Sequence, residues 1–194
     1  MLDCLGFKGI WKREQDQPEV IIDKLQRINE AVMAASEEMF AGANHEGEPF
    51  TPNILLLSDT VVISLTSPKA GEGDPALIST MIFKVAAMVR KVVDIYLTER
   101  PHLVLRGCLS YGKHECKDNF IFGPVVDSVA DNMERADGGF IWLLPEASAF
   151  LSENQNRHKG ISIRGVDYEN VFHTLLPHYR VPLKNSSPLL TLPH

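Results

Sequence analysis

Apolar residues recur along this chain in two patterns, one typical of strands and one typical of helices. A short apolar run at 2–7, interrupted by Asp3, predicts an opening strand. Segments 16–40 and 75–97 carry apolar residues at about every third or fourth position, which predicts two long amphipathic helices. Between them, 54–65 is aliphatic on both sides of a Ser-Asp pair, and this pattern predicts two buried strands joined by a tight turn.

The second half of the chain continues with shorter elements. Its pattern predicts two strands within 102–123, short helices at 124–136 and 146–154, a strand at 139–145, and edge strands within 161–175. The resulting order, β-α-β-β-α-β-β with a helical insert and more strands, predicts a split βαβ, ferredoxin-like α+β fold. We expect a mostly antiparallel sheet with helices on one face. We also expect one domain over 1–194, with a core to about residue 150 and a C-terminal β extension over 151–194.

Composition and charge narrow the functional classes. A chain of 194 residues that is 44% hydrophobic can bury a substantial core. Its formal net charge of −6 argues against nucleic-acid binding through bulk positive charge, and no stretch has the roughly 20 apolar residues that span a bilayer. The three cysteines lack a CxxC spacing and follow no signal-peptide pattern, so we interpret them as reduced thiols of a cytoplasmic protein. We expect neither nucleic acid nor membrane as a partner.

Two aspartates carry the first indication of chemistry. A carboxylate inside the apolar opening strand, such as Asp3, costs several kcal/mol if it is buried without a partner. In the predicted sheet the first strand neighbours the hairpin that contains Asp59, so the two side chains can converge. Paired carboxylates repel each other unless one is protonated or a cation lies between them, and divalent ions with oxygen ligands are the usual solution. The sequence therefore predicts a metal site.

Three stretches carry a family resemblance: "LDCLGFKGI" at the start, "LLSDTVVISL" in the hairpin and "LRGCLSYGKHECKDNFIFGPVVDSVADNME" further on. Together they resemble, in order, the motifs of the class III nucleotidyl cyclases, from Asp3 to about Pro145, with Ser58 in place of a common Gly. "DCLGFK" and "FGP" are similar to a bacterial subgroup that includes the pyrimidine nucleotide cyclases of Pycsar antiphage defence. The resemblance implies the class III cyclase fold.

The resemblance also implies a reaction and a ligand set. A pyrimidine nucleoside triphosphate, with UTP favoured over CTP, would be converted to its 3′,5′-cyclic monophosphate and pyrophosphate, a second messenger in antiviral defence. Two Mg²⁺ or Mn²⁺ ions per site would neutralise the leaving pyrophosphate. The metal residues would be Asp3, Cys4 and Asp59, and the backbone around Leu5, Gly6 and Phe7 would bind the phosphates.

The remaining site residues depart from the purine cyclases. The two adenine-recognising positions of those enzymes fall on Leu55 and Phe120, whose side chains form no hydrogen bonds. Ser58 and Arg106 are further substrate-binding candidates, although Arg106 equally suits a solvated strand end. No Arg stands in register with the family's transition-state residue. Arg135, one turn further, is the catalytic candidate, acting from the second subunit of a homodimer with composite sites, although with Glu134 beside it Arg135 also suits an exposed helix charge.

Other functions stay open at the sequence level. The missing Arg and the lost adenine pair are also typical of a catalytically degenerate cyclase-fold domain that acts as a nucleotide-binding or regulatory module. A polymerase or dinucleotide cyclase on the same fold is disfavoured, because the Gly-Gly-Asp/Glu-Glu-Phe hairpin signature is missing.

Overall fold

The protein is described from a computed structural model, in which helices pack on a five-stranded sheet. The structure describes residues 1–5, 7, 18–40, 50–68, 73–99, 102–133, 135, 138–154, 162–163 and 166–167. The sheet contains β1 (Leu2–Leu5), β2 (Thr51–Leu57), β3 (Thr60–Thr66), β4 (Val104–Leu109) and β7 (Ile141–Leu143). The helices are α1 (Pro18–Phe40), α2 (Pro75–Thr98), α3 (Pro124–Met133) and α4 (Pro145–Asn154).

The strand order places β1 in the middle of the sheet. The order is β2-β3-β1-β4-β7, and every neighbouring pair is antiparallel except β4 and β7. Leu2 lies opposite Val61 of β3 on one side and opposite Gly107 of β4 on the other. The expected α+β class, with a mostly antiparallel sheet, is confirmed. The expected adjacency of the first strand and the hairpin is also confirmed.

Side chains alternate between the two faces of the sheet, and this alternation separates Asp3 from its neighbours in sequence. Leu2 and Cys4 point into the main core, which α1 and α2 cover with residues such as Val32 and Val92. Asp3 points to the other side, which we call the Asp3 face and define by the cross-strand neighbours Thr60, Asp3 and Arg106.

The two faces carry different helices, which corrects the expectation that all helices lie on one face. Cys108 shares the Asp3 face by alternation from Arg106, and its Sγ donates to the Val129 carbonyl of α3 at 3.4 Å. Trp142 lies opposite Cys108 and joins the same buried cluster. Helix α3 therefore covers part of the Asp3 face, because its apolar residues need a sheet surface that α1 and α2 leave uncovered.

The segment 102–123 also differs from the expected pair of strands. It forms β4 and then a separate hairpin of β5 (Glu115–Lys117) and β6 (Phe120–Phe122). The turn contains Asp118 at φ 53°, a left-handed conformation that Asp adopts more readily than most residues. Asn53 Nδ2 donates to Cys116 Sγ at 2.7 Å and ties this hairpin to β2.

The ends of the elements agree with local sequence signals. Asp74 caps α2 by accepting a hydrogen bond from the Ala76 amide at 2.9 Å, and Pro75 occupies the first turn. Beyond α4, the C-terminal β extension is described only as β8 (Ser162–Ile163) paired with β9 (Val166–Asp167), and 168–194 lies outside the described residues. No helix within the described ranges is long and apolar enough to cross a bilayer.

Candidate functional site

Asp3 forms an ion pair with Arg106, its cross-strand neighbour on β4. The guanidinium donates two hydrogen bonds to Oδ2 of Asp3, from Nε at 3.0 Å and from Nη2 at 2.8 Å. The side chains are only 11% exposed for Arg106 and 14% exposed for Asp3. A carboxylate in the apolar opening strand is therefore tolerated because a buried cation compensates its charge.

Asp59 lies in the two-residue turn between β2 and β3. Its carbonyl oxygen accepts a hydrogen bond from the Cys4 amide at 2.9 Å, and the next residue, Thr60, lies opposite Asp3. Ser58 begins the turn at φ 57°, a conformation for which Gly is the usual residue in this type of hairpin. The hairpin turn and the middle of β1 are thus held together by backbone pairing.

The two carboxylates have different surroundings. Burial, together with smaller contributions from the negative charges of Cys4 and Asp59, raises the pKa of Tyr96 to about 12. Tyr96 belongs to α2 and packs in the main core, so Asp59 acts electrostatically on that side of the sheet. Asp3 instead contacts Arg106 on the Asp3 face. The structure therefore brings the backbones of Asp3 and Asp59 together but gives their side chains different partners.

The residues that flank Asp3 either pack their side chains in the main core or form backbone hydrogen bonds. The Cys4 side chain is 4% exposed and lies in the main core, so its sulfur points away from the Asp3 carboxylate. The Phe7 amide is directed at the Cys4 carbonyl at 3.4 Å, and the Phe7 ring packs against the same core. Leu5 pairs with Val104 at the end of β1. Gly6, the fourth expected member, lies outside the described residues.

The residues expected to contact the base and the transition state lie further away along the chain. Leu55 is 6% exposed on β2, while Phe120, at the start of β6, is 74% exposed. Arg135 is exposed beyond the end of α3 and donates from Nη1 to Asn132 Oδ1 at 2.8 Å. Arg135 is thus joined to its own helix end, and within this chain neither the Asp3 nor the Asp59 carboxylate is among its hydrogen-bond partners.

Two glycines are required by close backbone approaches that sequence reasoning did not identify. A Cβ on Gly107 would clash with the Met1 carbonyl oxygen and with Leu2 Cα, so β1 can approach β4 only because Gly follows Arg106. A Cβ on Gly123, at φ 142°, would lie 2.7 Å from the Lys113 carbonyl oxygen. These glycines are visible in the Arg-Gly-Cys and Phe-Gly-Pro sequences, but only the structure shows which backbone atoms lie close to them.

Large apolar side chains are exposed on the β5–β6 hairpin and at the end of β2. Phe120 and Phe122 of the β5–β6 hairpin are 74% and 63% exposed. Leu57, which shares the Asp3 face because it lies opposite Thr60, is 51% exposed. Exposed aromatic and aliphatic groups on and beside one sheet face are typical of a protein–protein contact surface.

The donor set fits a divalent cation in one specific way. In the part of the chain that the structure describes, no group of three or more His, Cys, Asp or Glu side chains could hold a metal ion. Mg²⁺, however, is commonly bound through one or two carboxylates together with substrate phosphates and water. Oδ1 of Asp3 receives no hydrogen bond from the described residues, so Asp3 can supply a carboxylate oxygen in that manner. Asp3 therefore fits a metal ion that arrives with a phosphate ligand, whereas the Asp59 carboxylate acts on Tyr96 at the main-core side of the sheet.

Comparisons with known proteins do not place the chain in a family. No protein-family model, no curated protein and no solved structure matches it. The interpretation of the site thus depends on the residues and contacts described above.

Proposed function

We propose that the protein is a metal-dependent nucleotidyl cyclase with a ferredoxin-like, class III cyclase fold, which acts on a pyrimidine nucleoside triphosphate. The observation that carries this proposal is the contact between the first strand and the hairpin turn. Asp3 lies opposite Thr60, and the Cys4 amide donates to the Asp59 carbonyl at 2.9 Å. The strand order β2-β3-β1-β4 is the order that a split βαβ fold requires.

In this proposal each residue of the pair has a separate role. Asp3 would hold Mg²⁺ or Mn²⁺ together with the triphosphate, Asp59 would join it once its side chain turns toward the Asp3 face, and Arg106 fixes the orientation of the Asp3 carboxylate through Oδ2. Bound divalent ions would supply charge neutralisation at the α-phosphate and at the leaving pyrophosphate. Backbone groups after Asp3 bind phosphate oxygens.

The proposed assembly is a homodimer with composite sites. In this assembly the exposed Leu57, Phe120 and Phe122 would supply apolar contacts to the second subunit. Arg135 donates to Asn132 at its own helix end, and in this assembly it would exchange that contact for one to the partner's nucleotide.

The proposed preference for pyrimidines follows from Leu55 and Phe120. Neither side chain can form a hydrogen bond, so an adenine would lose partners worth about 1 to 3 kcal/mol for each buried polar group. UTP is favoured over CTP through the family resemblance alone. A cyclic pyrimidine nucleotide suits a second messenger in antiviral defence, made in the cytoplasm.

The test is a turnover assay with equal ATP, GTP, CTP and UTP in the presence of Mn²⁺, with cyclic products separated by mass. Cyclic UMP or cyclic CMP should dominate, and Asp59→Asn should reduce the rate more than about tenfold because a metal ligand is lost. Asp118→Asn is a matched control, because Asp118 is an exposed aspartate in another hairpin turn. A dominant cyclic purine would refute the pyrimidine assignment, and no cyclic product would refute the cyclase.

One observation favours a second candidate, a nucleotide-binding regulatory module without turnover. The Asp3 carboxylate already has a cationic partner in Arg106, which reduces its need for a metal ion. In that case Mn²⁺ and UTP would bind together, in equilibrium dialysis, while the turnover assay stays blank.

A further inference from the structure

A cavity of about 480 Å³ lies between α2, the second half of β3, the segment 108–114 and α3. Ligand sites in proteins commonly occupy about 300 to 1,000 Å³. The α2 wall is apolar and includes Ile78, Met81, Ile82 and Val85. The wall comes close to the Asp3 region through Met1, Val62 and Cys108, but Asp3, Asp59 and Arg106 do not line it.

Two polar atoms in the residues of this wall are buried without a partner. Ser64 Oγ and His114 Nε2 form no hydrogen bond within the described part of the chain, and both residues line the cavity. An unpaired buried polar atom costs free energy, and native proteins contain few of them. Neither atom is accessible from the cavity in this conformation, so a ligand's hydrogen-bonding groups reach them once the Ser64 hydroxyl and the His114 ring turn toward the cavity.

The chemistry of His114 defines what the ligand must offer. Its Nδ1 lies 3.2 Å from the Gly112 carbonyl oxygen, which only accepts, so Nδ1 carries the proton. In the neutral ring Nε2 is then an acceptor and needs a donor from the ligand. The Ser64 hydroxyl can donate to a ligand oxygen. A ligand with an apolar framework and hydroxyl groups can hydrogen bond to both atoms and pack against the apolar α2 wall.

We propose that this cavity is a binding site for a small, neutral, largely apolar molecule that carries hydroxyl groups. The apolar part packs against α2, a hydroxyl hydrogen bonds to His114 Nε2, and a hydroxyl oxygen accepts from Ser64. This proposal does not depend on the proposed cyclase activity, because none of the residues assigned to that reaction lines the cavity.

The experiment compares 2-naphthol with naphthalene, which has the same rings but no hydroxyl, by isothermal titration calorimetry on the full chain. The wild-type protein should bind 2-naphthol about threefold to tenfold more tightly, which is the effect of one hydrogen bond. Ser64→Ala should reduce 2-naphthol affinity by a similar factor and leave naphthalene affinity unchanged. Ser148→Ala, a half-buried serine of α4 outside the cavity wall, is the matched control and should change neither affinity.

A second variant tests the location by filling the space. Val85→Phe places a larger side chain in the α2 wall and should weaken both probes. Ser64→Ala should fold normally, because it removes a hydroxyl that has no partner. The proposal therefore remains testable with Ser64→Ala if Val85→Phe does not fold. The proposal is overturned if neither probe binds below its solubility limit, or if 2-naphthol binds no more tightly than naphthalene. Binding that Ser64→Ala leaves unchanged also overturns it.

Discussion

Substitution of Asp3 by Asn tests whether the Asp3–Arg106 pair is a structural necessity of the central strand. Removing one member of a fully buried pair costs about 3 to 5 kcal/mol, while exposed pairs contribute about 0 to 1 kcal/mol. The side chains here are 11% and 14% exposed, which is close to the buried limit. Asn keeps one carbonyl oxygen that can accept a hydrogen bond from Arg106 but lacks the compensating negative charge, so we expect a loss of about 2 to 3 kcal/mol.

The measurement is urea unfolding of the metal-free protein, followed by circular dichroism. The urea midpoint should fall without a change in the slope m. Asp118→Asn should leave the free energy of unfolding within about 0.5 kcal/mol of wild type. The double variant Asp3→Asn/Arg106→Met should lose less stability than the sum of the two single variants, because it removes both charges together.

The sign of the effect separates two descriptions of the site. If Asp3 and Asp59 mainly repelled each other in the absence of metal, Asp3→Asn would raise the free energy of unfolding. The contacts with Arg106 predict the opposite sign. A midpoint equal to or above that of wild type would refute the reasoning.

Three further predictions concern the fold around the site. Gly107→Ala should lower stability by more than about 2 kcal/mol in the same unfolding assay, because its Cβ would meet the backbone of β1; a smaller loss would refute the close approach. Ser58→Gly should raise stability by about 0.5 to 1 kcal/mol, because glycine accepts φ 57° without steric cost, and an unchanged midpoint would contradict this. Between about pH 9 and pH 12 stability should fall, because burial raises the pKa of Cys108 to about 11 and that of Tyr96 to about 12. The unfolded chain releases these protons first as pH rises, so Tyr96→Phe should make the fall shallower, and identical pH profiles would reject the assignment.

The long elements of this fold could be predicted from sequence because their apolar periodicity extends over many residues. Helix α2 was expected at 75–97 and occupies Pro75–Thr98, and the hairpin was expected within 54–65, where β2 and β3 meet. The β5–β6 hairpin could not be resolved in this way, because three-residue strands contain too few alternations to set a period. Periodicity in α3 indicates that Val125, Val129 and Met133 share one side of the helix, but not which face of the sheet that side contacts.

The candidate site was predictable in topology but not in its contacts. The strand order alone brings the hairpin turn beside β1, so the proximity of the Asp3 and Asp59 backbones followed from the element order. The partner of Asp3 depended on the register of β1 against β4, which is set by packing and by the small size of Gly107. A shift of one residue would place Arg106 beside an apolar side chain and turn it to the other face. The sequence therefore left Arg106 open between a phosphate ligand and a solvated charge.

The Asp3–Arg106 pair limits how a metal ion can enter the proposed site. Arg106 occupies Oδ2 of Asp3 with two hydrogen bonds, so a cation that approaches the carboxylate meets a positive charge already in place. A lone divalent ion is repelled by that charge, whereas an ion accompanied by a triphosphate brings compensating negative charge. Metal and nucleotide binding at Asp3 should therefore be strongly coupled, with each increasing the affinity of the other by the same factor. Under the proposed function, the site would therefore take a metal–nucleotide complex as one unit.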